Sequence, residues 1–225
     1  MKGNINAAVV VVLALVSGAA AAHAQQERAQ VRQWDFEDSR AGSAPSGFSF
    51  AKTGSGRLGQ WVVNTQPDAT SGTNVLAQVD PDPMDFRFSM AVVDEPLLAD
   101  LRLSVRCKPV SGNVDQACGL VFRYQDEDNY YVTRANALEH NIRLYHVVKG
   151  KRQQFASWNG SVTGGTWHEL GVEAKGDHFT VSWDGQRVID AHDQTLSRPG
   201  KVGLWTKADS ITYFDDLRVE PHAVP

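Results

Sequence analysis

Aromatic and basic side chains recur at alternate positions in several stretches of this sequence: Arg123 in GLVFRY, Tyr130, Arg134 and Asn136 in YYVTRAN, Arg143 and Tyr145 in NIRLYHVV, and Trp205 and Lys207 in KVGLWTK. In an extended strand successive side chains point to opposite faces, so parity sorts each motif into a core side and an outer side. Leu120 and Phe122, Ile142 and Leu144, and Val202 and Leu204 are the natural core members. If these strands neighbour one another in a sheet, Arg123, Tyr130, Arg134, Asn136, Arg143, Tyr145, Trp205 and Lys207 line a single outer face. That surface has the chemistry of a saccharide site, with Trp and Tyr platforms for the apolar side of a sugar ring and Arg and Asn for its hydroxyls. Several guanidinium groups also suit a uronate, a sulfate or an otherwise acidic sugar. The alternative is an ordinary solvated sheet face with Trp205 packed under a loop.

A second set of residues invites a metal. Asp215 and Asp216 close the last strand-like run, and the first such run carries Glu37 and Asp38. A final strand lying beside the first brings Glu37, Asp38, Asp215 and Asp216 together as oxygen ligands for a structural Ca2+. Aspartates at a strand end also satisfy backbone amides, and no loop here has calcium-ligand spacing.

Other chemistries fail on context. Gly54-Ser55-Gly56-Arg57-Leu58-Gly59 matches a dinucleotide-binding spacing, but the strand-like QWVVN follows where a helix is required. His168-Glu169 lacks the second imidazole of a zinc-protease helix, because Val172 stands there. The seven histidines are scattered, with none at ligand spacing, and read as solvated or internally satisfied. There is no Gly-x-Ser-x-Gly elbow. For a glycosidase carboxyl pair, Asp35 and Glu37 share parity on an edge strand, Asp126-Glu127-Asp128 reads as a hairpin turn, and Glu173 and Asp190 stand alone.

The elements that must position these groups are short runs with period two, broken by Gly, Asp, Asn and Pro from WVV at residue 61 to SITYFDDLRV at residue 210. Asp184-Gly185 between two alternating runs predicts a tight type I′ hairpin. VVDEPLLADLR is the one candidate for a helical turn, limited by Pro96. The pattern predicts an all-β protein, a two-layer antiparallel β-sandwich or jelly roll. Lys2, the apolar run from Ala7 to Val16 and Ala22-His23-Ala24 fit a secretory signal peptide over 1–24, followed by a flexible leader at 25–32 and a single domain over 33–221. The apolar run is shorter than the roughly 20 residues of a transmembrane helix. Cys107 and Cys118 end and begin apolar runs that read as neighbouring antiparallel strands, so they form either a disulfide or two buried thiols. The formal charge of −4, with no compensating basic block, excludes a nucleic-acid partner.

Three stretches, DQACGLVFRYQDEDNYYVTRAN, WHELGVEAKGDHFTVSWDGQ and GKVGLWTKADSITYFDDLRV, resemble the concanavalin A-like lectin/glucanase superfamily. The likeness is strongest to bacterial laminin-G-like modules grouped with the 3-keto-disaccharide hydrolase domain. The Glu-x-Asp-x-x-Glu strand of the glucanases is missing. The resemblance implies a periplasmic or extracellular sandwich, and with the aromatic and basic face it supports a non-catalytic carbohydrate-binding module. The alternatives are a hydrolase of oxidised disaccharides, using acids from the turns at 126–128 and 209, and a cell-surface module with a protein partner. The oligomeric state is left open.

Overall fold

The computed structural model describes residues 30–222. The signal-peptide reading of 1–24 and the leader up to residue 29 lie outside the described residues, and the first strand begins at Arg32.

Fifteen strands are present among the described residues. They are β1 (Arg32–Trp34), β2 (Phe48–Gly54), β3 (Trp61–Thr65), β4 (Asn74–Gln78), β5 (Arg87–Val93), β6 (Leu101–Ser111), β7 (Ala117–Asp126) and β8 (Asn129–Asn136). They continue with β9 (Asn141–Val148), β10 (Lys151–Asn159), β11 (His168–Lys175), β12 (His178–Trp183), β13 (Gln186–His192), β14 (Lys201–Lys207) and β15 (Ile211–Pro221). An eight-stranded sheet runs β13-β12-β11-β6-β15-β4-β3, with β1 also paired to β15; a seven-stranded sheet runs β10-β9-β8-β7-β14-β5-β2. All pairings are antiparallel, and the two sheets form the expected sandwich.

Alternation explains the pleat. In β6, LRLSVRCKPVS, residues 101, 103, 105, 107 and 109 are buried, while the residues between them are exposed or half-buried. Leu103 and Val105 belong to the same core between the layers as Leu120 and Phe122 of β7. The Asp184-Gly185 turn is as expected, with Trp183 paired to Gln186 and positive φ at both Asp184 (48°) and Gly185 (77°). VVDEPLLADLR forms no helix; the chain leaves β5 at Val93, exchanges backbone hydrogen bonds between Leu98 and Gly200, and enters β6 at Leu101. That bridge uses the backbone groups a helical turn would need.

Cys107 and Cys118 are joined in a disulfide with a Cα–Cα distance of 6.3 Å. Their strands are not ladder neighbours. β6 belongs to the eight-stranded sheet and β7 to the seven-stranded sheet, so the bond crosses the core and ties the layers together. The chain makes that crossing because the turn after β6 hands it from one layer to the other. The bond is fully buried, with both cysteines inaccessible.

The bond closes a loop of sequence separation 11. Loop entropy alone then gives about 3 kcal/mol. Urea denaturation of a Cys107→Ala/Cys118→Ala double variant should show a loss of about 2–4 kcal/mol, and an unchanged midpoint would contradict this account.

Candidate functional site

The outer face of the seven-stranded sheet gathers all but one of the residues expected there. One row crosses six strands in register: Met90, Trp205, Gly119, Arg134, Arg143 and Ser157. The next row holds Tyr145 beside Val132, and Tyr130 follows beyond it, opposite Val147. Asn136 and Lys207 continue the same parity at the other end. Gly119 is needed in this arrangement, since an added Cβ would stand 3.1 Å from the Trp205 ring and 3.2 Å from the Arg134 Cβ.

Arg123 is the exception. Beyond Phe122 the β7–β8 register is irregular, and Arg123 itself has a φ of 47°. This inversion turns the side chain away from the outer face. Its guanidinium instead donates to the carbonyls of Ala99 (2.8 Å), Gly176 (2.6 Å) and Leu196 (3.0 Å) and lies 5.3 Å from the Phe179 ring centre. Arg123 therefore ties loops at one end of the sandwich, and is withdrawn from the ligand-facing set.

The face is also less open than its parity suggests. Trp205 is fully buried and stacks on Phe88 with centroids 5.3 Å apart. Tyr130 and Tyr145 belong to the same second apolar cluster, separate from the interlayer core. Across this aromatic floor lies the guanidinium of Arg152, 4.5 Å from the ring centres of both Phe88 and Tyr145 and 5.8 Å from that of Trp205. A planar cation can cover apolar surface while gaining from the rings' quadrupoles, so Arg152 takes the position expected for a sugar ring on Trp205. Sequence reading missed Arg152, although parity marks it: it pairs with Val147, which pairs with Tyr130.

A polar half adjoins the aromatic one. Arg134 donates to Asn141 Oδ1, to Glu139 Oε2 at 2.7 Å and to the Tyr145 hydroxyl at 3.2 Å. Asn136 donates to Asp115 Oδ1 at 2.9 Å, and Lys207 Nζ sits 3.0 Å from Asp115 Oδ2 and 2.6 Å from Asp85 Oδ1. Burial raises the Asp115 carboxyl above its usual range against the opposing pull of Lys207. Burial also pushes the Tyr130 hydroxyl up to about 12, and that hydroxyl shares a 2.7 Å hydrogen bond with Thr53 Oγ1. Two buried N–H donors on this face, Arg134 Nε and Arg152 Nη1, have no partner among the described residues, while Trp205 Nε1 faces the Tyr130 hydroxyl without a well-formed hydrogen bond. Orphan donors of this kind are uncommon in folded proteins and call for an acceptor.

The turn acids are otherwise engaged. Asp126 accepts from the Asp128 N–H and from Asn129 Nδ2, closing its hairpin. Asp209 accepts from the N–H groups of Asn113, Val114 and Asp115. Burial opposes ionisation of Asp209, but those three donors hold its carboxyl below the usual range.

The four acids expected to hold calcium are not brought into one ligand set. β1 does lie beside β15, with Trp34 opposite Leu217. Asp215 and Asp216, however, accept hydrogen bonds from Thr70 and Ser71, and Glu37 accepts from the N–H of Thr73 at 2.9 Å. They pin the 70–74 loop to the sheet. Asp38 is exposed on the turn after β1.

The outer face of the eight-stranded sheet carries a groove of about 570 Å³. Its floor is made of small residues, Ser104, Gly171 and Ser182, and its walls of charged ones, including Arg102, Glu173 and Arg187. Glu173 pairs with Arg102 and lies 3.1 Å from His222 Nε2. At its rim, His178, Asp190 and His192 form the one group of three or more His, Cys, Asp or Glu side chains among the described residues close enough to share a metal ion. In the sequence Asp190 stands alone and the histidines are scattered without ligand spacing, and it is the β12–β13 pairing that brings the three together.

A family model described as the 3-keto-alpha-glucoside-1,2-lyase-like domain matches residues 54–220. A levanase of Bacillus subtilis (strain 168) is 31% identical over 112 residues, a match spanning 48% of this chain and 16% of the levanase. Carbohydrate binding module CBM66 from Bacillus subtilis superposes with a TM-score of 0.62 at 22% identity, covering 77% of this chain and 96% of that one. Cellulose induced protein Cip1 superposes with a TM-score of 0.64 at 10% identity, covering 86% and 98%. The two structural likenesses establish the fold.

Asp209 carries a stability consequence. Because its folded-state pKa is depressed, its contribution is present above the unfolded carboxylate range near pH 4 and is lost as pH falls through the folded value. Asp209→Asn should lower stability at pH 7 by about 1.5–3 kcal/mol. In denaturant titrations the gap to the parent should narrow toward pH 3; a gap that is constant with pH would contradict the assignment.

Proposed function

The chain belongs to the 3-keto-alpha-glucoside-1,2-lyase-like domain family, and from that premise we propose that it is an exported module that binds a saccharide at the outer face of the seven-stranded sheet. The observation that carries the reading is the pair of buried donors, Arg134 Nε and Arg152 Nη1, set beside an aromatic floor. Sugar hydroxyls, a 3-keto oxygen or a uronate carboxylate supply the acceptors such donors need. Tyr130 and Trp205 build the floor, Arg134, Asn136, Arg143, Tyr145 and Lys207 form the polar wall, and the Arg152 guanidinium swings off the rings to donate to the bound ligand. The carbohydrate-binding module among the structural neighbours fits this reading. Export is supported by the signal-like residues 1–24 and the buried disulfide.

Binding without turnover is favoured because the acids nearest the face are tied to cations, Glu139 to Arg134 and Asp115 to Lys207. One observation favours turnover instead: the Asp115 carboxyl, raised by burial, is suited to exchanging a proton with an oxidised sugar.

Calorimetry on neutral, acidic and 3-keto glycosides, with product analysis of the same mixtures, distinguishes these readings. The expected outcome is saturable binding that weakens at least about tenfold in Arg152→Met, which keeps bulk but removes the donors, with no product formed. Product that disappears in Asp115→Asn while binding persists would establish the catalytic reading. Binding to no glycan, or binding untouched in both Arg152→Met and Arg134→Met, would remove the saccharide site from this face.

A further inference from the structure

The groove on the eight-stranded sheet ends in a group of side chains that saccharide binding on the opposite exterior does not use. His178, at the start of β12, lies directly opposite His192 at the end of β13, and their rings stack with centroids 4.7 Å apart. Asp190 precedes His192 by two residues and so shares its side of the strand. Its Oδ1 is 2.8 Å from His178 Nε2. One ligand atom from each of the three side chains lies within 4.8 Å of the other two.

The groups around them hold this arrangement. Arg187 Nη1 donates to Asp190 Oδ2 at 3.1 Å, leaving Oδ1 turned toward His178. Asp177 Oδ1 lies 3.4 Å from His192 Nδ1, and Gln194 donates to the other oxygen of Asp177 at 2.9 Å. A carboxylate on a ligand histidine and a cation on a ligand carboxylate are the outer partners that orient metal ligands. Two imidazoles and one carboxylate suit zinc and its divalent transition-metal neighbours, whereas Ca2+ and Mg2+ favour oxygen-only sets.

We propose that His178, Asp190 and His192 bind Zn2+, or a divalent ion of the same class, at the rim of the groove. With three protein ligands, a tetrahedral ion keeps a fourth position for an oxygen ligand. His178 and Arg187 also line the groove, so that position borders it.

The site is independent of the saccharide face and is tested separately. The full chain without a histidine tag, stripped with a chelator, is titrated with Zn2+ by calorimetry. One equivalent should bind to the parent and to Arg152→Met, and none to His178→Ala/His192→Ala. Asp177→Asn, which removes only the outer partner, should weaken binding about 10–100-fold. The His178 and His192 side chains are 40% and 66% exposed, so the double variant should melt as the parent does. If it does not fold, loss of the equivalent in Asp190→Asn is read in its place. No saturable uptake by the parent, or a full equivalent retained when these ligands are replaced, overturns the site.

Discussion

Both faces of the central strands of the seven-stranded sheet are removed from water, and the site follows from that constraint. All seven residues of β5 are buried, as are seven of the eight in β8, so these strands pack against the other sheet on one side and against the second aromatic cluster on the other. Drying the outer face strands every polar group on it. Arg134, Asn136 and Lys207 are tolerated there because Asn141, Glu139 and Asp115 meet them, and breaking a buried pair such as Lys207–Asp115 costs about 3–5 kcal/mol. The polar network and the aromatic floor are thus mutually dependent: the rings exclude water, and the exclusion makes the pairing obligatory.

The two exteriors of the sandwich solve different problems. On the seven-stranded side a guanidinium lies over aromatic rings, beside a network of paired polar groups. On the eight-stranded side the floor is small and polar, and the charged walls reach into solvent from Arg102, Glu173 and Arg187. Ion pairs in that setting contribute little to stability, so their side chains are free to rearrange around a ligand.

Period-two parity made the architecture legible, together with the Asp184-Gly185 hairpin and the shared face of Tyr130, Arg134, Tyr145 and Trp205. The departures have two physical origins. The first is irregular register. A regular ladder continuing from the Trp183–Gln186 pair would set His178 opposite Ala191, but the extra residue between Val181 and Ser182's partners sets it opposite His192. Arg123 was misplaced for a related reason, its positive φ coming where the β7–β8 ladder breaks. Neither irregularity leaves a glycine or proline to mark it. The second is layer assignment: consecutive strands commonly pair, and Cys107 and Cys118 were read that way, whereas the chain changes sheets between them. The burial of Trp205 was foreshadowed by apolar residues at both parities, such as Val121 and Val132 on the outer side, which mark a strand dry on both faces.

The positions of β14 and β15 reach beyond the finished structure. β14 separates β7 from β5, and β15 separates β6 from β4, so residues 201–221 supply an interior strand to each layer. Until they arrive, a nascent polypeptide holds only four-stranded and two-stranded fragments with open edges on which neither layer can close. Neither layer can therefore close over the shared core until residues 201–221 have been synthesised, so the order of synthesis sets a late point for cooperative folding.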